Sequence, residues 1–470
     1  MNHLFFLTLS CFFVFISCFM HHDKLLVISY DGFRYDYLDL NITPNLNSLK
    51  NNSSYAKCLL NVFPTQTFVN HFSIATGLYA EVHGVLGGKI YDQKNNKLLN
   101  YSYELFHYNE NIIPIWTLNE LAGKGRHSGV MMWPGSNFAY NSTNATFIVK
   151  YDPSVPWDYR VSTALSWFIH PETPANLVMM YFEEPDAESH AFGPGSPEVL
   201  EQIRRTDNIT KYILDSLVNN NLSDVNIIFL SDHGMEGVTR DRVIDLRQFV
   251  KDKADMYGTS PVCQIYPKPG QKVAEIYNLL SDEASKSRNF KVYLKADIPE
   301  HLHVKNCERT PPILAVAEPK YAFQDFYNTI DWEIKEKHAH ENGTYGIHGY
   351  DPSTVTMHPY FIAHGPLFKR NHSMGELRTV DMFSLFSHIL KLGPPGVKPN
   401  GTFSGVEDLF KSSASEIVFA HVYIISVFLI AIMAISVVAI CYTKKRNNLS
   451  RKERDHLEEM EIEMLLEVQA

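Results

Sequence analysis

Cysteine is scarce and poorly placed for a disulfide scaffold: of six in 470 residues, Cys11 and Cys18 fall in an apolar leader and Cys441 ends a second apolar run. Only Cys58, Cys263 and Cys307 lie between, an odd number, so stability has to come from a packed core. Excess positive charge is also missing. The net charge of −10 argues against nucleic acid as a structural partner. No short-period repeat or low-complexity tract is present, which sets aside solenoids and disordered linkers. Long hydrophobic runs are absent except at the two ends. Residues 4–19 have signal-peptide length, without a Lys or Arg before them but with polar His21-His22-Asp23 behind, and predict a signal peptide over 1–20. Residues 417–442 are long enough to span a bilayer and stop at Lys444-Lys445-Arg446. This predicts a type I single-pass plasma-membrane protein: an extracellular domain over 23–410, a stalk at 411–416, a transmembrane helix at 417–443 and a cytoplasmic tail at 444–470.

What the middle of the chain does have is three short apolar runs that each lead into acids. Residues 25–30 run into Asp31, 177–182 into Glu184-Pro185-Asp186, and 225–231 into Asp232-His233-Gly234. Near-continuous apolar strands separated by helix-length segments predict an α/β fold with a mostly parallel sheet flanked by helices. In such sheets sites form at the carboxyl ends of the strands. Several carboxylates gathered at one edge repel one another unless cations sit among them. His190 follows Asp186 by one helical turn, and His348 lies in the glycine-flanked Gly346-Ile347-His348-Gly349. Asp and His ligation without Cys suits zinc with positions left open for substrate. The set is large enough for a two-metal clamp with ions about 4 Å apart, the arrangement of phosphoryl chemistry.

The nucleophile is expected just after the first strand. Phe63-Pro64-Thr65-Gln66-Thr67 leads to Gly77 and predicts a short helix, with threonine at its N-cap and glycine past its end. A helix N-terminus favours phosphate, so Thr67 is placed to attack phosphorus once a metal lowers its pKa. Taken singly, Asp31 would pass for a turn acid and Thr67 for an ordinary cap. His71, His83, His338, His340 and His364 are read as packing, surface or supporting histidines outside the ligand set.

The motifs then align with a known family. Tyr30-Asp31-Gly32-Phe33-Arg34, Pro64-Thr65-Gln66-Thr67-Phe68, Thr76-Gly77-Leu78-Tyr79, Glu81-Val82-His83-Gly84, Trp133-Pro134-Gly135-Ser136, Glu183-Glu184-Pro185-Asp186, Ser231-Asp232-His233-Gly234 and His348-Gly349-Tyr350-Asp351 occur in this order. Residues 23–410 thereby resemble the catalytic domain of ectonucleotide pyrophosphatase/phosphodiesterases, a branch of the alkaline phosphatase superfamily, and most of all its short, membrane-tethered members. The resemblance implies two Zn2+ ions per ectodomain. Asp31, Thr67, Asp232 and His233 would surround one, and Asp186, His190 and His348 would hold the other. It further implies that Thr67 takes the nucleotidyl group covalently before water releases a nucleoside 5'-monophosphate, and that Phe68 and Tyr151 sandwich the base. The cysteine-dense repeats of longer members have no counterpart.

Two positions depart from the family pattern. Gly88, in Gly87-Gly88-Lys89-Ile90-Tyr91-Asp92, stands where the family usually has an asparagine whose amide steadies a phosphate oxygen, and Val69 replaces a proline. Loss of such a donor can slow turnover roughly a hundredfold. The expected substrate is a small extracellular nucleotide. Hydrolysis of choline-phosphate lipids is the alternative enzyme, and a weakly active adhesion or receptor-like protein is the alternative class. A choline site would need an aromatic cage with acidic neighbours, and a degenerate site would be expected to lose ligands first.

The stretch 238–341 breaks the strand rhythm and predicts a lid-like insert. Cys263 and Cys307 both lie in it and are the expected disulfide, leaving Cys58 free. Asn41, Asn51, Asn52, Asn100, Asn141, Asn144, Asn208, Asn221, Asn342, Asn371 and Asn400 each head a glycosylation sequon, and a subset is expected to carry glycan.

Overall fold

In the computed structural model, which describes residues 22–411 and 414–467, the three runs become neighbouring strands. Lys24–Tyr30 lies between Val225–Leu230 and Leu177–Phe182 and is parallel to both. The full sheet has eight strands, in the order His372–Arg378, Ser54–Leu60, Phe361–His364, Val225–Leu230, Lys24–Tyr30, Leu177–Phe182, Ser128–Met131 and Phe147–Val149. Only Phe361–His364 runs against its neighbours, so the sheet is mixed but mostly parallel.

The alternation of side chains explains why these strands are apolar throughout. Leu25 and Val27 point into one core with the helices Thr67–Thr76, Ile115–Leu121 and Met382–Leu390. Leu26, Ile28 and Tyr30 point into another, closed by Pro44–Asn51, Trp157–Trp167 and Pro197–Asn219. Both faces are dry, as a helix-covered parallel sheet requires. The long helix Pro197–Asn219 starts where expected: Ser196 accepts from the Val199 amide, Pro197 takes the first turn, and Val199, Ile203, Ile213 and Leu217 are buried.

The insert carries its own four-stranded antiparallel sheet, in the order Ala254–Tyr257, Val262–Pro267, Ile313–Ala317, Phe290–Leu294. One face holds Cys263 and Ile265 against the helices Val273–Ser287 and Phe326–Lys337. The other face, with Val262, Leu314 and Val316, joins the same apolar cluster as Leu25. The expected Cys263–Cys307 disulfide is not formed, because these two faces separate the partners. Cys263 lies in the insert's own core, Cys307 in the main one, and each is a free, buried thiol, as is Cys58.

All eleven sequon asparagines are exposed. The signal segment expected at 1–20 lies outside the described residues. Residues 411–470 form a separate compact unit, in which one helix runs Ala414–Glu467. The stretch Ile425–Ile462 of that helix contains a run long and apolar enough to cross a membrane. Residues 414–467 of the stalk, span and tail expected at 411–416, 417–443 and 444–470 fall along this helix, while 412–413 and 468–470 are outside the described residues.

Candidate active site

Parallel register brings the acids to one edge. Asp31 follows Lys24–Tyr30 directly and Asp232 follows Val225–Leu230 after one serine. His233 Nε2 stands 3.2 Å from Asp31 Oδ1 and 3.1 Å from Asp232 Oδ2. Asp186 opens the short helix Asp186–Phe192, and one turn on His190 places Nε2 3.2 Å from Asp186 Oδ2. His348 follows Thr344–Ile347, whose pairing with Glu236–Thr239 brings its Nε2 to 3.4 Å from Asp186 Oδ1. Two triads result, Asp31/Asp232/His233 and Asp186/His190/His348, and in each the donor atoms lie within 4.8 Å of one another. The rings of His233 and His348 stack at 3.5 Å, so the triads adjoin. Gly32 makes this approach possible: at φ +66° it presses against Asp186, where an added Cβ would stand 2.9 Å from the Asp186 Cβ.

The donor set fits divalent cations. Each imidazole places Nδ1 on a carbonyl oxygen, His190 on Gly346 at 2.9 Å, His233 on Gly234 at 2.9 Å and His348 on Thr65 at 3.0 Å. Their Nε2 atoms therefore face the carboxylates, the outer-sphere arrangement typical of ligating histidines. Asp31 Oδ1, Asp186 Oδ1 and Asp232 Oδ2 are buried without a hydrogen-bond partner. Buried acceptors left unsatisfied are destabilising, and a cation supplies what they lack.

Electrostatics carry the same strain. Burial, then the charges of Asp232 and Asp186, push the Asp31 carboxyl well above the ordinary range. Burial also opposes charge on Asp186 and Asp232, yet His190 and His348 hold the first, and His233 and His71 the second, below it. Burial works against His190 as well, but Asp186 raises its imidazole to about 9. His348, buried and beside His233, is pushed down to about 3.

Thr67 differs in one respect from the sequence reading. The helix Thr67–Thr76 is capped by Gln66, and Thr67 is its first helical residue. Its hydroxyl is thus not engaged as a cap and stands 3.1 Å from His233 Nε2, beside the first triad. Gly77 ends the helix at φ 72°. His71, one turn on, is buried outside both triads: Nδ1 lies 2.8 Å from the Thr67 carbonyl and 3.2 Å from Asp232 Oδ2, and Nε2 lies 2.9 Å from Ser29 Oγ.

A cavity of about 600 Å³ opens over Thr67 and the second triad, with Phe68, Gly88 and Tyr151 on its walls. Phe68 packs on Tyr101 at 5.1 Å and Phe106 at 6.1 Å between ring centres. Tyr151 is half-exposed, its ring 6.0 Å from Tyr181. The loop after it is held by buried Arg160, which donates to the carbonyls of Pro153 and Val155 while pairing with Glu183 at 2.6 Å. Gly88 offers no side chain, and its amide already donates to Gln66 Oε1 at 3.3 Å.

Sequence reasoning missed Tyr181, which donates to Asp31 Oδ2 at 2.5 Å. Its signal was visible: it is the one hydroxyl-bearing residue in an apolar run, next to the strand's end. Tyr101, Phe326 and Glu333 also line the cavity, and nothing in their local sequence marks them.

Known proteins share this arrangement of chain. Residues 25–351 match the family described as type I phosphodiesterase/nucleotide pyrophosphatase. Ectonucleotide pyrophosphatase/phosphodiesterase family member 5 of Homo sapiens is 35% identical over 405 residues, 84% of this chain and 80% of that protein. Bis(5'-adenosyl)-triphosphatase ENPP4 of Homo sapiens is 34% identical over 388 residues, 81% of this chain and 80% of the relative. Among solved structures, an inactive threonine-to-alanine form of murine ectonucleotide pyrophosphatase/phosphodiesterase 5 in complex with AMP superposes with a TM-score of 0.74. It is 35% identical and covers 83% of this chain and 100% of its own.

Proposed function

Because this chain belongs to the type I phosphodiesterase/nucleotide pyrophosphatase family, whose members are metal-dependent hydrolases, we propose that it is a cell-surface zinc enzyme cleaving extracellular nucleotides to nucleoside 5'-monophosphates through a covalent threonine. The observation that carries this reading is the Thr67 hydroxyl, uncapped at a helix N-terminus and 3.1 Å from His233, above two adjoining triads with unsatisfied carboxylate oxygens. Asp31, Asp232 and His233 with Thr67 would hold one zinc, and Asp186, His190 and His348 the other. When bound, the ions would neutralise the converging carboxylates, acidify the Thr67 hydroxyl and draw charge from the phosphoryl oxygens.

The remaining steps belong to the chain. The free amides at the start of Thr67–Thr76 orient the phosphate. Thr67 Oγ1 attacks phosphorus, the bond to the leaving oxygen breaks, the hydroxyl proton departs with that leaving group, and a nucleotidyl-threonine forms. Water then attacks the same phosphorus, releasing the monophosphate and returning the proton to Thr67. Phe68 and Tyr151, both lining the cavity, would hold the base. Dinucleoside polyphosphates are candidate substrates from the name of one relative, and AMP as a product is in keeping with the ligand of a solved one. The helix Ala414–Glu467 supports a membrane tether, and the exposed sequons support glycosylation of some among Asn41, Asn52, Asn100, Asn141, Asn144, Asn208, Asn221, Asn342, Asn371 and Asn400.

The test is hydrolysis of p-nitrophenyl thymidine 5'-monophosphate by the purified ectodomain, with chelator and with zinc restored. Chelator-sensitive release of nitrophenol, recovered on adding zinc, is expected. No release from folded, zinc-loaded protein would overturn the reading and turn attention to choline-phosphate lipids.

A further inference from the structure

The helix Phe326–Lys337 turns one face to the cavity, with Phe326, Thr329 and Glu333 at spacings of three and four. Glu333 is the unusual member. It is only 4% exposed, and its Oε2 has no hydrogen-bond partner. Lys337, one turn on, does not satisfy it: the ammonium binds the Ala187 carbonyl and lies 3.5 Å from Glu188 Oε2. Glu184, Glu188 and Glu333 all gather near Lys337, and of the three Glu333 lines the cavity. Burial opposes charge on the Glu333 carboxyl, while the nearby Lys337 and then His190 favour it.

The position has a meaning for the reaction. Displacement at phosphorus is in line, so a nucleophile beside the first triad expels its leaving oxygen toward the second. His190 belongs to the second triad, and Glu333 is its neighbour. Resting on the function proposed above, we propose that Glu333 sets leaving-group specificity: it favours a leaving group with hydroxyl or cationic nitrogen donors and little negative charge, and disfavours pyrophosphate. The charge of its buried carboxylate attracts the first kind and repels the second.

The experiment compares kcat/KM for ATP, which leaves pyrophosphate, with that for p-nitrophenyl thymidine 5'-monophosphate, which leaves nitrophenol. Glu333→Gln is expected to raise the ATP-to-nitrophenyl ratio by about tenfold, with zinc content unchanged. Calorimetric titration of the zinc-loaded protein with inorganic pyrophosphate should show a parallel tightening. Thr329→Lys, which sets a cation one turn before Glu333, should move both readouts the same way and serves if the first variant does not fold. An unchanged ratio and unchanged pyrophosphate affinity in a folded variant would overturn the assignment. If wild-type protein cleaves neither substrate, the proposed function fails instead, and the pyrophosphate titration still judges Glu333 on its own.

Discussion

The floor of the cavity and its walls are built by different means. On the floor, most candidate ligands are held from behind: three imidazoles by backbone carbonyls, Asp31 by Tyr181, and Asp232 by the Gly32 amide at 3.2 Å. Asp31, Asp232 and His233 follow paired strands of the main sheet, His190 sits on the short helix Asp186–Phe192, and His348 follows the paired strand Thr344–Ile347. On the walls, Tyr151 is half-exposed on a loop, Gly88 has no side chain, and Glu333 comes from a helix of the insert. Chemistry that tolerates little displacement stands on the rigid sheet, while groups that select among substrates stand on loops and the insert. The two parts should therefore fail differently when altered.

The largest effect is expected at the floor. Thr67→Ala should lower turnover by about four orders of magnitude or more, since the nucleophile itself is removed. Metal content should remain as in wild type, because the two triads are complete without the threonine. Metal analysis beside the nitrophenyl assay checks both halves. Retained activity would refute the covalent route, and lost metal would show that floor and nucleophile are not separable.

That division also decided what could be read from the sequence. The floor was legible because each triad is announced by short contiguous signals: an apolar strand, then an acid, then a histidine at helical or adjacent spacing. The sheet could be read for the same reason, since strands buried on both faces are apolar at every position. The walls were not. Glu333 looks like any surface acid of a helix rich in Glu and Lys, and only the packing of the insert against the site buries it. The disulfide failed on similar grounds: Cys263 and Cys307 are close in sequence, but one sheet stands between them. Thr67 was displaced by one position, from cap to first helical residue, a shift that chain geometry rather than composition sets.

Gly88 lies on the wall beside Phe68, and a change there that reaches the phosphate should have an intermediate effect. A Cβ at this position would stand 3.8 Å from two Phe68 ring carbons, an ordinary contact. Asparagine can therefore be added without strain. The backbone amide cannot act in its place, because it already serves Gln66. If the phosphate lacks a donor opposite the triads, Gly88→Asn should raise kcat on the nitrophenyl ester by roughly a hundredfold. Steady-state rates on the two proteins decide it, and equal rates would mean that another group already serves the phosphate.

The smallest effect is expected at the exposed part of the wall. Tyr151 presents a half-exposed ring, so its contribution is a stacking contact of about 1 kcal/mol and not the positioning of a reacting atom. Tyr151→Ala should then raise KM for a nucleotide substrate roughly fivefold, leave kcat near its original value, and leave hydrolysis of bis(p-nitrophenyl) phosphate, which has no base, unaffected. Arg160 and Glu183 hold the loop from behind and do not depend on the tyrosine ring, so the substitution should not disturb the fold. A fall in kcat on both substrates would mean that Tyr151 acts on the reacting centre, through Tyr181 and its bond to Asp31, and the line between wall and floor would have to be redrawn to include it.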